Sequence, residues 1–221
     1  MRAPPVFVTG CARSGTSMVA GALAASGLNF GAPRYLNRKK GPNQPRGFYE
    51  HKRVKRILVK TLLKSMGADP LGQLPLPPRR VISTVDDALW VRHTLPGLLE
   101  PGRAYKDAKL LLLWPIFRQA FPAARWIIVR RDRMAIAESC ERTSFMRKRQ
   151  GVGAWLEWVD DHLQRIEDLK ASGVSYCEVW PDPSRLDPWQ AVVEFAGLAW
   201  NEDAVRRALV PGAWQGNGGA P

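Results

Sequence analysis

Val6-Phe7-Val8-Thr9-Gly10-Cys11-Ala12-Arg13-Ser14-Gly15-Thr16-Ser17 opens with an apolar run, turns on its glycines, and leads into a small-residue helical pattern from Ser17 to Ser26. The order is strand, loop, helix. In that context the G-x-x-x-x-G spacing from Gly10 to Gly15 belongs to a loop that cradles an anion with backbone N–H groups and a helix N-terminus. Thr16, however, stands where a loop that handles nucleoside triphosphates carries its lysine, which disfavours ordinary ATP or GTP chemistry. The positive charge comes earlier, at Arg13, placed to reach the bridging oxygen or terminal group of a different phosphoanhydride. Ser14, Thr16 and Ser17 add hydroxyl donors. A glycine turn without a ligand is the alternative reading of the same residues.

A second strand-loop-helix unit lies further along. Arg125 to Val129 (RWIIV) reads as a short buried strand, and Arg133 to Arg147 suits a helix. Arg131 falls at the strand's carboxyl end, and Ser139 follows about two helical turns later. Both can face the crevice where α/β sheets bind ligands and clamp one phosphate. Taken alone, these arginines could equally form surface ion pairs with Asp132, Glu138 or Glu141.

Between the two units, residues 31–49 combine prolines, glycines and the basic run Arg38-Lys39-Lys40, so a long, mobile, basic loop is expected. From Glu50 to Met66 the three- and four-residue spacing of Val54, Ile57, Leu58, Thr61 and Leu62 predicts an amphipathic helix. Four prolines in residues 70–80 mark an exposed connection. Leu110 to Phe121 reads as a helix, and Val152, Trp155, Leu156, Val159, Leu163 and Ile166 give the clearest helical stripe. A strand at 174–179 and short helices near 188–196 and 202–209 complete the pattern, with a disordered tail at 216–221. Strands alternating with helices predict an α/β fold: a P-loop-like, three-layer α/β/α arrangement with a mainly parallel central sheet, in one domain over residues 1–221.

With 33 basic and 20 acidic residues, 33 − 20 = +13, the surface field favours anionic partners without choosing among them. Cys11, Cys140 and Cys177 are too few and scattered for a disulfide framework or a zinc site, so no metal is expected. No 18-residue apolar stretch and no basic-then-apolar leader is present, which predicts a soluble cytoplasmic protein without a membrane span.

Together the two motifs resemble those of the PAPS-dependent sulfotransferase family, in its bacterial carbohydrate and tyrosylprotein-like branch. VTGCARSGTSMVAGAL looks like the family's 5′-phosphosulfate loop, and RRDRMAIAES like its 3′-phosphate motif. KDAKLLLLWPIFRQAFPAARWIIVRRD is similar to the Lys-Asp-Pro segment and the helix and strand after it. The resemblance spans roughly residues 5–200 in outline and implies a sulfuryl donor, 3′-phosphoadenosine 5′-phosphosulfate (PAPS). Ala12, Arg13, Ser14, Gly15, Thr16, Ser17, Arg131 and Ser139 would bind that donor. Arg13 would also stabilise the leaving group, and Lys106 would donate to the transferring oxygens, unless it merely pairs with Asp107. Gly47-Phe48-Tyr49-Glu50 resembles a G-[FWY]-[FWY]-E stretch whose glutamate is the general base; an ordinary glutamate at a helix start is the other reading of Glu50. His51 is the reserve base. His162 reads as a surface residue of its helix, and His93 has no motif around it.

Three positions depart from the family's pattern: Ala108 and Arg133 replace prolines, and Met18 replaces a tryptophan that stacks on adenine. Trp90, Trp114 and Trp155 are candidates for that platform or for core packing. The acceptor is expected to be a small molecule or glycan met by loops 31–49, 67–95 and 143–153, whose basic content favours an anionic one. No nucleic-acid partner is expected, and the oligomeric state is unreadable. A P-loop nucleotide phosphotransferase such as a kinase is second choice, with only Asp132 as a magnesium ligand. A non-catalytic polyanion-binding module using basic residues near 38–40, 52–56 and 147–149 is third.

Overall fold

Strand β1 (Val6–Gly10) is buried along its whole length, because it sits inside a sheet covered on both faces. The computed structural model describes residues 4–37, 47–79, 84–99 and 104–209. Its four strands run in the order β2 (Ala104–Lys106), β1, β3 (Arg125–Val129), β4 (Ser175–Val179), all parallel. A strand buried on both sides needs no polar alternation, which is why VFV and WIIV read as continuous apolar runs.

Successive side chains still point to opposite layers. Phe7, Tyr105, Trp126 and Ile128 join one core cluster. Packed there are α2 (Lys52–Val54), the π turn Lys55–Val59, α3 (Lys60–Ser65), α4 (Val85–Leu98), α5 (Trp114–Ala120) and part of α7 (Val152–Ala171). Val6, Val8, Ile127 and Val129 face the other layer, built by α1 (Thr16–Ala25), α8 (Asp187–Phe195) and α9 (Glu202–Ala208). A third cluster joins α6 (Arg133–Glu141) to α7 around Trp155 and Trp158. This is the expected layered α/β arrangement with a parallel sheet.

From β1 the chain passes to β2 on one side, then returns to β3 on the other. Strand order reverses at β1, and the crevice beyond the carboxyl ends of β1 and β3 is where such sheets bind ligands. Gly10 makes the close approach possible: with φ of 152°, an added Cβ would lie 2.4 Å from the Val129 carbonyl oxygen.

Several expectations need correction. No element was assigned between 81 and 109, yet α4 and β2 lie there. Only Ala88, Val91 and Leu95 of α4 are buried, and Pro96 sits in its last turn, so its periodic signal is weak. Strand β2 has three residues, too few to show a period. The helix expected from Glu50 starts at Lys52, and the one expected to reach Arg147 stops at Glu141. A 3₁₀ turn (Ala108–Leu112) precedes α5. Within the loop expected at 31–49, residues 33–35 form a 3₁₀ turn and Leu36 bridges His51; the basic run 38–40 and the tail 216–221 lie outside the described residues.

Replacing Gly10 by alanine is expected to lower the unfolding free energy by about 2–3 kcal/mol through overpacking against β3, read as a drop in the urea midpoint.

Candidate active site

The loop after β1 is built on unusual backbone. Gly15 is left-handed and precedes α1 without a side-chain cap, leaving the helix's first N–H groups without intrahelical partners. Arg13 is also left-handed, with φ of 74°, a conformation that costs energy for a residue with a Cβ. Two contacts hold it: its Nε donates to Ser139 Oγ at 3.0 Å, and its carbonyl accepts from Arg131 Nη1 at 2.9 Å. The two motifs, more than a hundred residues apart in sequence, therefore meet at one arginine. Arg13 forms no ion pair among the described residues. Ser14 Oγ is fully buried and has no hydrogen-bond partner among the described residues.

Neighbouring charges have other tasks. Arg130 pairs with Glu167 and Glu178, at 2.8 and 3.0 Å, pinning β3 to α7 and β4. Arg133 pairs with Asp160 at 2.6 Å. The Asp132 carboxylate accepts from Ala135 N at 2.8 Å and caps α6, so it is already engaged in a structural role.

Lys106 ends β2 with only 2% exposure. Its Nζ donates to Ser17 Oγ at 3.0 Å and to Glu50 Oε1 at 3.4 Å, while Lys55 Nζ reaches Glu50 Oε2 at 2.6 Å. Burial alone would raise the Glu50 carboxyl, but Lys106, Lys109 and Lys55 outweigh it and bring it to about 2. Burial likewise lowers the Lys106 ammonium, against the opposing pull of Glu50 and Asp107. Asp107 itself accepts from Tyr105 Oη at 2.9 Å and pairs with Lys109 Nζ at 2.7 Å. Lys106 is thus the bridge between loop and carboxylate, not a partner of Asp107 among the described ion pairs.

Ala12, Arg13, Thr16, Ser17, Glu50 and Lys106 line one cavity of about 300 Å³. Leu71, Leu112, Phe145, Met146 and Trp158 add apolar surface to the lining, with Gln73, Lys109 and His162 among them. His51 does not line it. Its Nδ1 accepts from Val54 N at 3.3 Å, capping α2, and its ring packs on Tyr35. Glu50 therefore precedes the helix instead of sitting in its first turn, and the helix dipole does not explain it. His162 is 2% exposed, not a surface residue. Burial lowers it to about 4, outweighing the Trp158 carbonyl. Of the tryptophans considered for adenine, Trp155 is fully buried, Trp114 packs on the first core cluster, and Trp90 is 36% exposed; the cavity's tryptophan is Trp158.

Lys55 and His162 were not singled out from sequence as site residues. His162 carried a signal: it lies three residues after Val159 and four before Ile166, on the buried stripe of α7. Lys55 carried none, because the π turn that contains it is not visible in a period of 3.6.

A family model described as a sulfotransferase domain matches residues 5–186. Among solved structures, a sulfotransferase of Mycobacterium tuberculosis superposes with a TM-score of 0.51 at 15% identity, covering 95% of this chain and 71% of that one. The sulfotransferase domain of the Synechococcus olefin synthase does so with 0.54 at 16% identity, covering 95% and 78%. At such identities the likeness is one of fold. No curated protein matches the sequence. Among the described residues no helix is long and apolar enough to cross a membrane, and no cluster of His, Cys, Asp and Glu could hold a metal ion.

The folded Glu50 pKa lies below its usual value, so its ion pairs stabilise the fold fully above about pH 4.5 and cease to do so as pH falls through about 2. That shift corresponds to roughly 3 kcal/mol. In urea melts at decreasing pH, the stability gap between wild type and Glu50→Gln is expected to be widest near neutrality and to close across that window.

Proposed function

The chain belongs to the sulfotransferase family, and we propose that its sulfuryl donor is PAPS and its acceptor a hydroxyl compound, with Glu50 as the base. The observation that carries this reading is the junction at Arg13, whose Nε meets Ser139 and whose carbonyl meets Arg131. A loop suited to a phosphosulfate and a motif suited to a second phosphate thereby share one edge. The unpartnered Ser14 Oγ and the glycine-shaped turn fit such a group. In this reading residues 12–17 hold the 5′ side, and Arg131 and Ser139 hold the 3′-phosphate.

When bound, PAPS supplies an activated sulfuryl group: the acceptor O–S bond forms as the S–O bond to the phosphate breaks, releasing 3′,5′-adenosine bisphosphate (PAP). The protein's part is positioning and charge. Transfer through a loose, anionic transition state calls for cations near the leaving phosphate, and Arg13 and Lys106 are those cations. Glu50 takes the acceptor's proton. Held near 2 by its lysines, Glu50 is a weak base at rest. Drawing Lys106 toward an anion on the Ser17 side loosens its grip on Glu50 Oε1 and raises the carboxyl's basicity as the acceptor's proton becomes acidic. No metal enters this scheme. We assign the chain to the cytoplasm as part of the same reading; Cys11, Cys140 and Cys177 are free thiols.

PAP is expected to raise the melting temperature of the wild-type protein, whereas ATP with magnesium is not. The shift should disappear in Arg131→Ala and Ser139→Ala. Glu50→Gln should keep the shift and lose at least about a hundredfold in turnover. A shift with ATP and none with PAP overturns the assignment.

A further inference from the structure

His162 lies on α7, is 2% exposed, and is among the residues that line the cavity. Its Nδ1 is 2.8 Å from the Trp158 carbonyl oxygen. A carbonyl only accepts, so Nδ1 carries the proton and Nε2 presents a bare lone pair. No described residue donates to that nitrogen. The indole of Trp158 packs on the imidazole at 3.9 Å between ring centres, and its own Nε1–H is spent on the Gly72 and Gln73 carbonyls at 3.2 and 3.1 Å. The ring is thus fixed in place, its tautomer is set, and its remaining polar atom is left to whatever fills the cavity.

The surroundings indicate what kind of ligand. Leu71, Leu112, Phe145 and Met146 line the same side. Leu71 and Phe145 are 52% and 51% exposed, so apolar surface continues outward from the cavity. The cations of the lining are ion-paired, Lys106 and Lys55 with Glu50 and Lys109 with Asp107, and Lys109 packs beside Leu112 at Gly72. An anionic or many-hydroxyl acceptor would leave this apolar wall poorly matched, whereas a flat or extended apolar body would cover it.

We propose that His162 Nε2 is an acceptor-binding atom that takes a hydrogen bond from a hydroxyl on a neutral, apolar-bodied alcohol or phenol lying against Leu71, Leu112, Phe145 and Met146. This rests on the sulfotransferase reading for the reaction, but not for the binding. It narrows the acceptor from the glycan and small-molecule classes to one of them, and it makes His162 the residue that holds the hydroxyl's single proton in the donor-free complex, Glu50 taking that proton only once the hydroxyl has left His162 for the donor.

The test uses the full chain without donor and two probes, 2-naphthol and 2-methoxynaphthalene, which share a body but differ in whether they can donate a hydrogen bond. Wild type is expected to bind 2-naphthol about three- to tenfold more tightly, followed by quenching of tryptophan fluorescence. His162→Phe should bind both probes alike, with an unchanged PAP thermal shift showing an intact fold. His162→Gln, which restores an accepting oxygen, should recover the preference. The proposal is overturned if wild type shows no preference, if the preference survives in His162→Phe, or if neither probe binds. Hydroxyl-selective binding in a chain that ignores PAP would instead sink the donor assignment and leave the role of His162 standing.

Discussion

A buried ammonium group must be neutralised where it stands, and that requirement at Lys106 organises much of this molecule. The side chain emerges at the carboxyl end of β2, inside the protein, with a hydroxyl of α1 on one side and Glu50 on the other. Removing either partner of such a pair leaves an uncompensated charge, typically at a cost of about 3–5 kcal/mol. The segment carrying Glu50 is therefore held to the sheet although it belongs to no strand. The bridge between Leu36 and His51 and the cap that His51 gives α2 fix that segment from behind. Through Lys106 the sheet, the start of α1 and the Glu50 carboxylate are joined by direct contacts.

The same economy governs the other half of the site. Arg13 adopts a left-handed backbone that a glycine would tolerate more easily, yet a glycine there would supply neither the bond to Ser139 nor the charge in the cavity. The surrounding basic residues have mostly found partners: Arg130, Arg133, Arg149 and Arg165 are engaged with acidic residues on α7 or β4. The count of 33 basic residues thus overstates what is free to attract an anion. The cations that matter are the few whose positions are dictated by the ends of β1, β2 and β3.

Much of the framework was legible in the sequence because it follows from one period and one spacing. VFV and RWIIV announced the two central strands, and Gly10 and Gly15 announced the turn at the point where strand order reverses. The stripe from Val152 to Ile166 gave α7. Other parts were hidden for physical reasons. A strand of three residues with a lysine in it has no period, and α4 shows the solvent most of its surface. The pairing of Lys55 with Glu50 depends on a π turn, and the burial of His162 depends on which neighbours α7 meets. Both are tertiary facts. His51 sits beside the glutamate that lines the cavity, but its ring turns to cap a helix, and adjacency in sequence carries no information about that choice.

Gln73 illustrates a further consequence. Its side chain donates to the Phe145 carbonyl at 2.8 Å and accepts from the backbone of Arg147 and Lys148, while Trp158 clasps its carbonyl from α7. Gln73 thus ties the connection after α3 to the 145–148 turn through its side chain and to α7 through its backbone. Because Gln73 grips only backbone groups of 145–148, the side chains of that segment, Phe145 among them, are free to vary without cutting the clasp, whereas a change at Gln73 itself cuts its bonds to the segment together.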